Sequence, residues 1–322
     1  MPLILSVIRL KSLILIVGLL FAINQIYFFP LSIKTQTYIF LIGIIILGIP
    51  HGAVDVLIST KNAKDKKNSF SYFTFFYTYI GRLIAFLLLL LLVPSIGIVL
   101  FIIIASFHFG ETDLYKFDIN SLKGKLFSFS YGWVIISFII LSHFDEVLVL
   151  LYSFESGMDH YYVINWINDY KLLILSVSFI LFFCFAFIYF LGNARNPEIN
   201  GEFLIAFLII IFIVYNLPML LGFTFYFVMW HSIMSLRNTI VYLGKGRYIS
   251  NIHLIKEICF YSFIAITGIF LFGIAGSMFV NNNTLVIYVL LGLAVLTAPH
   301  MQIMHIMYNN IRRKENRKFL DQ

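Results

Sequence analysis

The chain is poor in charge. Of its 322 residues only 22 are Lys or Arg and 15 are Asp or Glu, against roughly a quarter charged in a soluble domain. Hydrophobic residues make up 61%, too many for a water-facing surface to cover. A soluble globular enzyme is excluded on that ground. So are a disordered chain and a basic nucleic-acid-binding domain, which need dense, solvated charge. Cysteine is scarce as well. Cys184 and Cys259 both sit in apolar runs and provide neither a disulfide framework nor a metal-binding pair. Fixed-period repeats, matched halves of the kind found in transporters, and low-complexity segments beyond the apolar runs are missing too. Neither a Ser-His-Asp arrangement nor a phosphate-cradling Gly loop is present.

Long apolar runs fill the chain instead. A spanning helix needs about 20 apolar residues. Reading runs against polar breaks gives about ten: 11–30, 36–59, 70–93, 95–113, 127–150, 171–191, 202–217, 221–243, 257–280 and 284–309. The first follows Arg9 and Lys11 and, with no small-residue cleavage site behind it, reads as a span rather than a removed leader. The weakest separations are at Pro94 and at Asn216–Gly222, where either a loop or a kink fits.

Cationic loops test this count. Basic residues gather at the N-terminus, at Lys61 to Lys67, at Lys116 to Lys125, at Arg195, at Lys245 to Lys256 and in the tail from Arg312. The intervening loops carry only Lys34, nothing, an acidic stretch from Asp145 to Asp169, and two uncharged breaks at Leu217–Leu221 and Asn281–Asn283. The alternation predicts an all-α, polytopic membrane bundle of eight to ten spans, forming one integral domain over 1–322 with both termini cytoplasmic. It also accounts for the net charge of +7 through topology and anionic lipid.

Ionisable groups inside spans are costly and are functional candidates by default. Five of the eight histidines lie there: His51 in Pro50-His51-Gly52-Ala53-Val54-Asp55, His108 in His108-Phe109-Gly110-Glu111-Thr112-Asp113, His231 before Ser232, and His300 and His305 after Pro299. His143, His160 and His253 fall in or beside loops and read as surface groups. His51, His108, His231 and His300 precede a cytoplasmic cation by ten, eight, fourteen and twelve residues. At about 1.5 Å per residue they share a layer in the inner half of the membrane, which predicts a common metal site. Imidazole suits Fe, Zn, Cu or Ni, and spacing does not choose among them.

Asp55 and Thr112 each stand four residues after a histidine and share its helix face. With Glu111 and Asp113 they are candidates to hold the imidazoles in place. Arg82, midway along the third span, needs an anion, and Asp55 or Glu111 is the expected one. His300 and His305 are five apart, about 140° around a helix, so His300 is expected to face the site with His305 as hydrogen-bonding neighbour or reserve ligand. Gly52 and Gly110 are expected to allow close helix approach.

In order along the chain, Pro50-His51-Gly52-Ala53-Val54-Asp55, His108-Phe109-Gly110 with Asp113, His231-Ser232 and Pro299-His300-Met301 resemble the Brp/Blh family of membrane β-carotene 15,15′-dioxygenases, from about residue 40 to 310. The resemblance implies non-haem Fe(2+), β-carotene and O2 as substrates, and two molecules of retinal as product, with an opsin as an acceptor. It implies a bacterial or archaeal cell membrane, with the active site in the cytoplasmic half. Carried over by motif, His51, His108 and His231 become iron ligands. Where the family pattern places a further His one turn after His231, this chain has Ser235, so either His300 or a water held by Ser235 completes the set.

The chemistry is consistent with that reading. A polyene partitions into the bilayer, where O2 also concentrates. Its central double bond has no acidic proton and no leaving group, so a redox metal is required. Of the aromatics near the layer, Phe107, Phe109, Phe223, Phe225, Tyr226, Phe227 and Trp230, the chief candidates to line the polyene are Phe107, Phe109, Tyr226, Phe227 and Trp230. A non-catalytic carotenoid or retinal carrier for an opsin is the main alternative. A metal or proton transporter needs acidic groups through the membrane, and a desaturase needs dense HxxxH and HxxHH clusters.

Overall fold

A computed structural model describes residues 7–152, 159–193, 197–244, 251–279 and 285–320. Every regular element among them is helical: α1 (Val7–Tyr27), α2 (Ile33–Gly43), a π-helical segment (Ile44–Gly48), α3 (Ile49–Ala53), α4 (Asp55–Asp65), α5 (Tyr72–Leu92), α6 (Pro94–Asp113), α7 (Leu122–Leu141), α8 (Phe144–Tyr152), α9 (Asp159–Asn193), α10 (Pro197–Asn216), α11 (Met219–Phe223), a second π-helical segment (Thr224–Ser232), α12 (Ile233–Gly244), α13 (Asn251–Phe279) and α14 (Leu285–Leu320). Nine helices among the described residues are long and apolar enough to cross a membrane, some built from several of these pieces, such as Ile33–Asp65 and Met219–Gly244. The expected span at 202–217 falls on a shorter apolar helix, Gly201–Asn216. Arg195, Lys245, Arg247 and the break at Asn281–Asn283 lie outside the described residues.

Local chemistry sets the helix boundaries. Ser32 and Ser71 cap α2 and α5 by accepting the backbone N–H of Thr35 and Thr74. Pro94 opens α6 at its first turn, where a missing N–H costs nothing. Val93 before it leaves the helical region (φ −138°, ψ 68°), so this break separates two helices rather than kinking one. Pro218 likewise starts α11. Pro299, by contrast, stays inside a continuous α14.

The chain divides into two compact units, residues 1–47 with 134–233 and residues 48–133 with 234–322. In the first, Leu141, Phe144, Val147 and Met219 form a buried cluster, and Glu146 accepts the backbone N–H of Met219 at 3.0 Å. In the second, Val54, Leu57 and Ile58 of α4 pack with Tyr242, Leu243, Met304, Met307 and Tyr308. A further cluster joins Phe86 and Leu90 of α5 to Ala294 and Val295 of α14. Large apolar side chains on the outer faces of α5, α9 and α13 are exposed, Phe73, Leu172 and Phe263 among them, as a helix bundle solvated by hydrocarbon requires.

Helices α6 and α7 meet at two glycines. A Cβ at Gly110 would collide with the carbonyl oxygen of Ser128, and one at Gly132 with that of Ser106. These contacts bring the backbone of α6 on either side of His108 hard against α7. Gly52 differs from expectation: a Cβ there meets nothing within 4 Å, so no close approach depends on it.

Candidate metal centre

In the second unit three buried imidazoles meet: His51 from α3, His108 from α6 and His300 from α14, 4%, 2% and 5% exposed. Ring centroids are 4.8 Å apart for His51 and His300, 5.0 Å for His108 and His300, and 6.2 Å for His51 and His108. The first π-helical segment ends at Gly48, just ahead of Pro50. Proline cannot supply the N–H that a regular helix would use there, and π-turns of this kind recur at functional sites. Behind it, the Nδ1 of His51 lies 2.9 Å from the carbonyl oxygen of Gly48.

That contact fixes a proton. A carbonyl only accepts, so the Nδ1 of His51 donates, and the Nε2 of the neutral ring is left as a lone pair. His300 is oriented the same way, with its Nδ1 2.7 Å from Asp55 Oδ1. The two Nε2 atoms face each other at 3.2 Å. Two ring nitrogens at that separation share either an imidazolium proton, as a hydrogen bond, or a metal ion. Metal–imidazole bonds are about 2.0–2.1 Å, and two of them at right angles span about 3 Å, so the donor pair fits one ion. Asp55 accepts a second bond from the Tyr79 hydroxyl at 3.0 Å. The run Tyr79–Asp55–His300 is therefore a carboxylate-backed histidine of the kind that supports metal ligands.

The remaining expected residues take different places. Asp55, at the start of α4, serves His300 of α14 rather than His51 four residues before it. Glu111 does not stand behind His108. Its carboxylate accepts from Arg312 at 2.6 Å and from His305 Nδ1 at 3.0 Å, and Asn309 Nδ2 bonds the other ring nitrogen of His305, Nε2, at 2.8 Å. His305, with a half-exposed side chain, therefore belongs to a Glu111–Arg312 cluster. Thr112 and Ser235 are buried, as are Asn238 and Tyr308. The Asp113 carboxylate accepts from Tyr131 at 2.8 Å. Arg82 is exposed on α5, while both acids expected to meet it have other partners. Phe109 is buried with its ring 6.0 Å from His108, whereas Phe107 is 44% exposed and packs on Phe129.

His231 belongs to the first unit. It is fully buried in the second π-helical segment, its ring stacked on Phe227 at 6.0 Å. Tyr226, Phe227 and Trp230 are buried in the same segment, and Lys11 lies 5.4 Å from the Trp230 ring. Phe225 fills the space that Gly18 leaves open.

Tyr79, Arg312 and the two π-turns were not singled out from the sequence. Proline two residues after Gly48 is the one signal that marks the first π-turn; the others depend on contacts between distant helices.

These features define a helical membrane protein with a buried histidine cluster able to bind a metal. Residues 42–308 match the family model described as beta-carotene 15,15′-dioxygenase, and the chain belongs to that family. The matched stretch contains all five histidines of the spans. No curated protein and no solved structure matches the chain.

Proposed function

We propose that the protein is a non-haem iron β-carotene 15,15′-dioxygenase. In this reading Fe(2+) is held by His51, His108, His231 and His300, and the central double bond of β-carotene is cleaved with O2 into two molecules of all-trans-retinal. The observation that carries it is the pair of Nε2 atoms of His51 and His300, 3.2 Å apart inside a chain of this family. His231 enters on its family motif and its depth in the sequence. The balance is simple: one C=C bond is lost, two C=O bonds form, and each aldehyde takes one atom of O2.

Iron, when bound, supplies the redox chemistry that a hydrocarbon without acidic protons demands. The chain's own groups do the rest. Gly48 and Asp55 hold the rings of His51 and His300 with Nε2 outward. Tyr79 steadies Asp55. Burial of the cluster keeps water from a reactive centre, and Phe109, Tyr226, Phe227 and Trp230 supply apolar, aromatic surface for a polyene, with Phe107 at its outer edge. The chain is read as one integral domain of a bacterial or archaeal membrane, termini and active site toward the cytoplasm, delivering retinal to an opsin.

Expression in a bacterium that makes β-carotene tests this. Orange colour is expected to fade as retinal accumulates, and His51→Ala or His108→Ala is expected to abolish both changes. Stable carotenoid beside a folded, iron-loaded protein would defeat the reaction. Retinoid or carotenoid transfer by an iron-free preparation would make the protein a carrier.

A further inference from the structure

Arg82 has no part in the cluster described above. It is the middle residue of the 21-residue helix α5, exposed, and no described residue gives it a hydrogen bond or an ion pair. Ten residues separate it from each end of the helix, about 15 Å at 1.5 Å per residue, further than its side chain extends. A guanidinium facing lipid tails at that depth is unfavourable. Asp55 is committed to His300 and Tyr79, and Glu111 to His305 and Arg312.

The helix face beside Arg82 is equally unexplained. α5 packs inward through Leu83, Phe86, Leu87 and Leu90. Its outer side carries Thr74, Thr78, Gly81 and Ala85, spaced by four, three and four, which places them in one strip. Thr78, Gly81, Arg82 and Ala85 line an open groove flanked by Tyr77. A Cβ at Gly81 would meet nothing within 4 Å, so the chain's own packing does not call for a glycine there. Small residues at this spacing let a second helix approach closely.

We propose that this face of α5 is a docking surface for a transmembrane helix of another protein that carries a carboxylate near its midpoint. Arg82 supplies the opposite charge and the small-residue strip supplies the seat. Charge complementarity selects the partner. Lipid tails carry no anion at that depth. In a second copy Asp55 and Glu111 are buried and paired, and the exposed Asp169 lies seven residues from the start of its span rather than at its middle. The proposal does not depend on the reaction assigned above.

The test uses the full chain in phosphatidylcholine vesicles with fluorescent poly-leucine transmembrane peptides that have Glu, Leu or Lys at the centre. Energy transfer is expected to show the Glu peptide binding about tenfold more tightly than the Leu peptide. Arg82→Leu should erase that preference while leaving thermal unfolding unchanged, Arg82→Glu should transfer it to the Lys peptide, and Gly81→Leu should block the Glu peptide by filling the seat. Equal binding of all three peptides would overturn the proposal. Arg82-dependent self-association of the chain without peptide would overturn it in favour of a second copy. An Arg82→Leu effect confined to retention of anionic lipid would overturn it in favour of a headgroup.

Discussion

The Nε2 atoms of His51 and His300 face each other at 3.2 Å, each with its other ring nitrogen already committed to an acceptor. A metal ion held by both nitrogens would add two ligand bonds that the metal-free pair, joined at most by one shared proton, lacks. Chelation of the purified protein is therefore expected to lower its unfolding temperature, and Fe(2+) at about a hundred times its dissociation constant to restore about 2.7 kcal/mol. Iron content by mass spectrometry beside a thermal melt checks this. A melt indifferent to chelator, with no metal in the protein, would remove the metal from the account.

Asp55 backs His300, its Oδ1 2.7 Å from the ring Nδ1. Asp55→Asn keeps the shape but loses the charge, and metal affinity is expected to drop by about 10–100-fold. Tyr79→Phe removes only the second bond to that carboxylate and should cost less than Asp55→Asn. Competition titration with a metal-sensitive dye ranks the two, and the opposite order would mean that Tyr79 acts on the cluster by some route other than Asp55.

Much of this was legible in one dimension. Apolar run length identified a helical membrane chain. The depth argument put His51, His108, His231 and His300 in one layer, and the rings of His51, His108 and His300 lie within 6.2 Å of one another. The partner of each polar group was not legible. Helix spacing put Asp55 with His51, because residues four apart share a face, yet the carboxylate reaches His300, 245 residues away. Glu111 looked like support for His108 and instead pairs with Arg312, 201 residues on. Spacing along one helix says which side a group occupies and nothing about which helix lies opposite.

Glu111 and Arg312 are both buried, and His305 alone would be left to face Glu111 if Arg312 were lost. Breaking such a pair from one side costs about 3–5 kcal/mol, whereas replacing both partners with apolar residues is often neutral. Arg312→Leu is accordingly expected to destabilise the chain strongly, and Glu111→Leu with Arg312→Leu to recover most of the loss. A double-mutant cycle on the unfolding midpoint measures the coupling. Additive losses would show that the two side chains do not act as a pair.

Gly110 and Gly132 hold α6 against α7 on either side of His108, through the carbonyl oxygens of Ser128 and Ser106. The atom in the way is backbone in both cases, so an added methyl cannot be relieved by turning a side chain. Gly110→Ala and Gly132→Ala must part the helices, at a cost of about 1–3 kcal/mol or more, and the shift carries His108 away from His51 and His300. Both variants are expected to melt lower and to bind less iron. Gly52→Ala is the control: it lies beside His51 in sequence, but its Cβ enters open space and it should behave as the parent does. If Gly52→Ala lost iron as heavily as Gly110→Ala, proximity to a histidine rather than helix contact would be the cause, and the role given to the α6–α7 crossing would fall.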